Sequence, residues 1–258
     1  MDTPPNTPPP PSAAQAFDAL VRHEAWAAVR LRDSDTVTLV GGTRGEVESL
    51  LDVPLEEGRP AEGRRFDRLL AVPFRQVAER GFEAHDDGAP LTVVHIDAES
   101  EHPLPEVLAA LPDVPVEFDD RGGFDSSDEE YGAVVERIIT DEIGNGEGAN
   151  LVIGRHYRAQ LRDWDARTAL TVFRRLLEQE RGAYWTYCFF TGERYLVGAS
   201  PERHVSVHGG DVARAVDRVP VGGDVAEVRV EPRGPGPWPP SRTSGTPAPV
   251  SRICTLSR

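Results

Sequence analysis

One carboxylate in this chain stands where it could support acid catalysis. Glu202 lies in the stretch Gly198-Ala199-Ser200-Pro201-Glu202, directly after two apolar runs that are predicted to form paired strands. A carboxyl group held in a cleft beside this backbone could donate a proton as a general acid. Taken alone, the pattern is more typical of a solvated glutamate at a strand end, since glutamate is rarely buried.

A glycine-rich turn upstream of Glu202 leads to a second polar residue, Asn150. Residues 144–148 follow a predicted helix and precede a predicted strand at 151–157. This order is the reverse of a dinucleotide-binding loop, and no Gly-Lys-Ser/Thr is present, so the sequence does not indicate a phosphate loop. By itself, Asn150 fits a left-handed turn before the strand.

The charge of the chain excludes several classes of function. The formal net charge is −15, and all 28 basic residues are arginine. The absence of lysine excludes a lysine Schiff base, a lysine general base and a phosphate-loop lysine. An acidic body argues against nucleic acid as a partner, because phosphate binding needs a basic surface.

Cysteine, histidine and hydropathy patterns add further exclusions. The two cysteines form no disulfide framework, and His156, His204 and His208 lack partners at metal-ligand spacing, so we predict no metal site from these residues. No apolar run approaches the length of a membrane span, and the proline-rich start is not a secretory signal. We therefore expect no membrane association and a cytoplasmic location.

Strands and helices alternate along most of the chain. Strands are predicted at 27–31, 36–40, 91–96, 114–118, 151–157, 183–190 and 195–197, and helices at 66–84, 105–111 and 166–180. Pro73 should break or kink the first of these helices. The clearest helix begins after Ser127, which forms a capping box with Glu130, and its apolar face contains Tyr131, Val134, Val135, Ile138 and Ile139.

These two segments, around Glu202 and Asn150, together resemble the synthase subunit of chorismate-utilising enzymes. The likeness is greatest to anthranilate synthase component I and to the aminodeoxyisochorismate synthases of phenazine-type pathways. Residues 72–88 also resemble the latter, and the likeness covers roughly residues 20–213. It implies an α+β (mixed α/β) fold, in which antiparallel sheets are layered with helices. It also implies amination of chorismate to 2-amino-2-deoxyisochorismate or anthranilate.

The resemblance also implies roles for individual residues. Glu202 matches the glutamate that helps the ring hydroxyl of the substrate to depart, and Gly198, Ala199 and Ser200 match the neighbouring substrate-binding backbone. Asn150, five positions before Arg155, matches a position that is lysine in relatives that add water to chorismate. Ammonia needs orientation rather than a strong base, and an amide can supply it. The lack of lysine thus favours an aminating enzyme over the alternative, an isochorismate-type synthase.

Beyond Ala213 the likeness stops, so part of the family's machinery has no counterpart here. The resemblance implies Mg²⁺, but the glutamates that bind it in the family cannot be assigned. It also implies ammonia from a glutamine amidotransferase subunit or domain, and a homodimer is a further expectation. The other alternative is a non-catalytic truncated remnant that at most binds a partner, and we expect this chain to be inactive alone.

Four parts of the chain follow from these observations. We predict a disordered proline-rich tail at 1–12, the N-terminal part of the synthase domain at 13–121 and the start of the chorismate-binding core at 122–213. The last part, 214–258, is rich in arginine, proline and glycine and has no apolar period. It is either a disordered tail or a stretch translated out of frame. The abrupt change in amino-acid composition favours the second interpretation.

Overall fold

The computed structural model describes residues 10–32, 34–54, 66–146, 151 and 153–201, and the backbone of residues 252–257. Asn150 and Glu202 lie outside the described residues, as do residues 208–210, where the sequence His208-Gly209-Gly210 predicts a turn. The helices are α1 (Ala13–Leu20), α2 (Leu104–Ala110), α3 (Asp128–Arg137) and α4 (Ala166–Gln179). The strands are β1 (Ala25–Leu31), β2 (Thr36–Val47), β3 (Phe66–Val72), β4 (Leu91–Pro103), β5 (Gly123–Phe124), β6 (Tyr157–Arg158), β7 (Trp185–Phe190), β8 (Tyr195–Ser200) and β9 (Arg252–Ser257).

The chain forms two compact units. The first unit runs to Asp113 and resumes at Ala169, whereas the second unit covers residues 114–168. The first unit contains a curled seven-stranded sheet in the order β8-β7-β1-β2-β4-β3-β9, in which every pairing is antiparallel. The second unit contains α3 and the short ladder between β5 and β6. The predicted α+β fold with an antiparallel sheet and helices is confirmed.

The central strands of the sheet are buried on both faces. In β1, Ala25 and Ala27 belong to a cluster with Ile96 and Phe189, and the alternate residues Trp26 and Ala28 are also buried. Helix α1 packs on β2, and helix α2 packs on β2 and β4. Such continuous burial explains why β1 is an almost unbroken apolar run instead of an alternating one.

A β-bulge shapes the long pairing between β2 and β4. The register shifts between Gly41 and Gly42, and a Cβ atom on Gly42 would lie 1.8 Å from the carbonyl oxygen of His95. Only glycine allows the two backbones to approach this closely. The bulge strengthens the local twist and so helps the sheet to curl.

Several predicted elements are confirmed. The predicted strands at 27–31, 36–40 and 91–96 correspond to β1, β2 and β4, which are longer, and the two apolar runs before Pro201 correspond to β7 and β8. Helices α2 and α4 lie within one or two residues of their predicted bounds. Helix α3 begins after Ser127 with the predicted capping box to Glu130. The sequence also predicts a tight turn at Thr191-Gly192, between the two apolar runs. This turn is present, and Gly192 has φ = 97°.

Three predicted elements are wrong. Residues 66–84 are not a helix: strand β3 is followed by a 3₁₀ helix, Phe74–Arg80, which begins after Pro73 and ends at the left-handed Gly81. Pairing with β4 and β9 overrides the helical spacing of this segment. Residues 114–118 contribute only the single bridge from Phe118 to Leu161, and 151–157 contributes only the start of β6. In both cases a longer partner strand is absent from the described residues.

The C-terminal residues 252–257 form β9, which pairs with β3 at one edge of the sheet. Residues 202–251 lie outside the described part of the chain. The four-part division of the chain therefore stays a prediction.

Candidate active site

The segment Gly198-Ala199-Ser200 forms the end of β8, at the edge of the seven-stranded sheet opposite β9. Gly198 pairs with Tyr187 of β7, Ala199 with Thr186 and Ser200 with Trp185. The last pairing is reinforced by the backbone N–H of Tyr184, which donates to the carbonyl oxygen of Ser200 at 2.7 Å. The sheet thus fixes the backbone up to the residue before Pro201.

Tyr187 explains why residue 198 is a glycine. A Cβ atom on Gly198 would lie 3.0 Å from the Tyr187 hydroxyl oxygen and 3.2 Å from Cζ of the same ring. The aromatic ring therefore lies directly over the glycine, on the face that the two paired residues share. Burial raises the pKa of the Tyr187 hydroxyl, which keeps it protonated and able to donate a hydrogen bond.

In the second unit, the segment that follows Asn150 is tied to helix α3. The Tyr131 hydroxyl donates to the carbonyl oxygen of Ile153 at 3.2 Å. The guanidinium of Arg155 lies 2.7 Å from a carboxylate oxygen of Asp128, in the first turn of the helix. These contacts begin three residues after Asn150 and fix the described segment at Ile153 and Arg155 against the helix.

Two aromatic rings flank the guanidinium of Arg155. Its Cζ lies 3.8 Å from the ring centroid of Phe124 and 5.2 Å from that of Tyr131. Phe124 in turn makes an edge-to-face contact with Tyr157, with 5.1 Å between the ring centroids. Arg155 thus joins the β5–β6 ladder to helix α3 through cation–π contacts and one ion pair.

An aspartate–histidine pair lies at the end of the β5–β6 ladder. Asp125 accepts a hydrogen bond from the backbone N–H of His156 at 3.0 Å, and its second oxygen lies 2.9 Å from ring Nδ1 of His156. The hydrogen bond from the His156 ring lowers the pKa of Asp125 most, so the carboxylate remains ionised. No sequence pattern indicates this pair, because 31 residues separate its members and only strand pairing joins them.

The structure places only part of the predicted site. Gly198, Ala199 and Ser200 lie together on β8, as three consecutive residues of one strand. Asn150 and Glu202 lie outside the described residues, so their roles stay predictions. Within the described ranges, no group of three or more histidine, cysteine, aspartate or glutamate side chains could hold a metal ion. In that same part of the chain, no helix is both long enough and apolar enough to cross a membrane.

The sequence of this chain is similar to a known protein family and to two curated proteins. The family model described as "chorismate binding enzyme" matches residues 81–216. The "Anthranilate synthase, phenazine specific" of Pseudomonas chlororaphis is 44% identical over 172 residues, which cover 66% of this chain and 26% of the relative. The protein of the same name from Pseudomonas fluorescens is 43% identical over 170 residues, with the same coverage of both chains.

The chain therefore spans about a quarter of the length of these curated relatives. The family match contains the whole second unit, the Asn150 segment and strand β8. Because the family model matches more than half of the chain, and both sites predicted from the sequence lie within the match, the chain belongs to the chorismate-binding enzyme family.

Proposed function

We propose that the chain takes part in the amination of chorismate at C2 with loss of the C4 hydroxyl, which gives 2-amino-2-deoxyisochorismate. The observation that carries this proposal is the family match over residues 81–216, together with 44% identity to a relative named as a phenazine-specific anthranilate synthase. If pyruvate is then eliminated, the product is anthranilate.

In the proposed step, ammonia attacks C2 while the C4–O bond breaks. The nitrogen lone pair forms the C2–N bond, the C1–C2 double bond moves to C1–C6, and the C5–C6 double bond moves to C4–C5. The hydroxyl leaves C4 as water with a proton from Glu202. The new ammonium group then loses one proton, which restores the acid. Proton donation to a poor leaving group is what a positioned carboxylic acid supplies.

Two described features support this assignment of roles. Strand β8 is fixed through Ser200 by its pairing with β7, so a side chain that follows Pro201 starts from a rigid element. The segment after Asn150 is held through Ile153 and Arg155. Asn150 would orient ammonia by accepting its hydrogen bond, and a chain without lysine lacks the base that a hydrating enzyme of this type uses.

The proposed reaction also needs a source of ammonia and a metal ion, which the described residues do not supply. Ammonia would come from a glutamine amidotransferase subunit or domain, in the cytoplasm, and a homodimer remains a prediction. Mg²⁺ is a family expectation, and when bound it would neutralise the substrate carboxylates. The described residues offer no ligand group that fits it, so no step is assigned to the metal. The chain spans about a quarter of these relatives' length, and its inactivity in isolation stays a part of the proposal.

The test combines chorismate, ammonium and Mg²⁺ with the purified chain. One assay contains the chain alone. A second assay also contains, as a separate polypeptide, the part of the P. chlororaphis relative that does not align with this chain. Product is followed by mass spectrometry. We expect ammonium-dependent 2-amino-2-deoxyisochorismate or anthranilate only in the mixture. Glu202→Gln should lower the rate by about 10²- to 10⁴-fold, whereas Glu83→Gln, at an exposed glutamate, should not.

Two other outcomes would overturn the proposal. Isochorismate formed without ammonium would indicate the hydrating enzyme. No turnover in either arrangement would leave the non-catalytic remnant as the explanation.

A further inference from the structure

Asn145 directly precedes Gly146 at the point where helix α3, continued by a π-helical turn, comes to an end. This turn covers Ile138–Ile143, and the backbone N–H of Gly144 closes it by donating to the carbonyl oxygen of Ile139 at 2.9 Å. Asn145 and Gly146 are both exposed. The dipeptide therefore lies at an irregular helix end that solvent can reach.

The side-chain amide of an asparagine can react with the backbone nitrogen of the next residue. Here the nitrogen of Gly146 would lose its proton to solvent and form a bond to Cγ of Asn145. The bond from Cγ to Nδ2 would break, and ammonia would leave with a proton from solvent. Water then opens the cyclic imide. Cleavage at Cγ gives aspartate, whereas cleavage at the backbone carbonyl carbon gives isoaspartate, whose main chain contains an additional methylene.

Gly146 offers little steric resistance to this reaction. Its φ is 80°, in the left-handed region that favours glycine, and a Cβ atom built on it would meet nothing within 4 Å. The backbone conformation, and not packing, is therefore the reason for a glycine at this position. Without a Cβ atom, the nitrogen of Gly146 is open to the side chain of Asn145.

Two hydrogen bonds hold the reacting groups in the folded chain. The N–H of Gly146, the nucleophile, donates to the carbonyl oxygen of Ile143 at 3.0 Å. Nδ2 of Asn145, the leaving group, donates to the carbonyl oxygen of Asp141 at 2.6 Å. Cyclisation requires both bonds to break, because the nitrogen must lose its proton and the side chain must turn towards it. The helix end therefore slows the reaction for as long as it stays closed.

We propose that Asn145-Gly146 is a self-modification site, at which conversion to aspartate and isoaspartate is held back by these two hydrogen bonds. The proposal is independent of the chemistry proposed for chorismate. The product adds a negative charge near Asp141 and Glu142, at the carboxyl end of a helix, where the backbone already carries partial negative charge. Isoaspartate also lengthens the turn. Both changes should unwind the helix end.

The experiment incubates the full chain at mildly alkaline pH, in buffer and in urea, and follows Asn145 by peptide mass spectrometry. Trypsin cleaves after Arg137 and Arg155, so a single peptide contains Asn145 together with Asn150, which precedes a leucine and serves as an internal control. Fragmentation distinguishes the two positions, and chromatography separates aspartate from isoaspartate. A synthetic peptide of residues 141–150, with and without urea, corrects for the effect of urea on the reaction itself.

We expect Asn145 to convert while Asn150 stays an asparagine. Conversion should be roughly 5- to 150-fold slower in buffer than in urea, as expected if two ordinary hydrogen bonds must open first. Hydrogen exchange at the Gly146 amide requires only one of these bonds to open, so its protection should not exceed this factor. In the modified chain, the amides of residues 138–143 should exchange faster, while those of β1 should not change.

Three variants separate the contributions. Asn145→Gln should abolish the conversion. Gly146→Ala should slow it in urea, where strain in the folded backbone has no effect. Asn145→Asp introduces the charge without the additional methylene, and should reproduce only part of the faster exchange at residues 138–143.

Four results would overturn the proposal. They are an Asn145 that stays intact in urea, equal corrected rates in buffer and in urea, conversion of Asn150 at the same rate, or unchanged hydrogen exchange of residues 138–143 in the modified chain.

Discussion

Replacing Arg155 by alanine should open the second unit locally while leaving the first unit intact. Arg155 joins the segment after Asn150 to helix α3, through its ion pair with Asp128 and its contacts with the rings of Phe124 and Tyr131. Alanine removes all of these contacts at once. Because the described part of the second unit has no buried apolar side chain, little else resists the opening.

The size of the effect follows from the exposure of the groups. The side chain of Arg155 is 20% exposed but that of Asp128 is 89% exposed, so the ion pair contributes between about 0 and 1 kcal/mol. Each cation–π contact at such a site contributes about 0.5–1 kcal/mol. We expect the local opening free energy to fall by about 1–3 kcal/mol, which is roughly a 5- to 150-fold change in the opening equilibrium.

Hydrogen exchange followed by mass spectrometry measures this change. Amides of α3 and of residues 153–158 should exchange faster by the same roughly 5- to 150-fold, while β1 should be unaffected. Arg158→Ala is the matched control, since it removes the same charge from an exposed position on β6. Equal acceleration in the control, or an equal effect on β1, would refute the reasoning.

Three further predictions concern the core, an ion pair and a thiol. Phe173→Ala should lower the free energy of unfolding by about 3–5 kcal/mol in urea, because Phe173 is fully buried in α4, and a loss below about 1 kcal/mol would contradict this. The lowered pKa of Asp125 means that its stabilising pairing with His156 is fully present above the unfolded value of 3.8 and is lost as pH falls through the lower folded value. The chemical shift of the His156 amide proton should report this titration, and Asp125→Asn should abolish it. Burial raises the pKa of the Cys188 thiol, so iodoacetamide should modify it slowly until denaturant is added. If the native chain is labelled quickly and the Cys188→Ser variant is labelled just as quickly, then the reacting thiol is that of Cys254 and not that of Cys188.

The fold was predictable where its signals are local. The capping box of Ser127 and Glu130 acts within four residues. The two apolar runs of β7 and β8 on either side of Thr191-Gly192 are a hairpin signal that is also local. Residues 66–84 show the opposite case. Their spacing fits a helix, but strand β4, more than twenty residues further along the chain, recruits Phe66–Val72 into the sheet.

The candidate site likewise has some features that could be predicted from the sequence and others that could not. Family membership, and the positions of Gly198, Ala199 and Ser200 at the end of a strand, could be inferred from short motifs, because a strand and its turn are encoded by adjacent residues. The packing of Tyr187 over Gly198 could not, since it depends on the register between two strands.

The sequence by itself determined the family, the α+β class, the acidic and lysine-free character of the chain, and the helix that begins at Ser127. Only the tertiary structure decided that Arg155 lies between Phe124 and Tyr131, that Asp125 meets His156, and that no apolar side chain in the described part of the second unit is buried. The reason is physical. Composition, caps and hairpins depend on neighbours along the chain, whereas burial and cross-strand contacts depend on which distant segments meet.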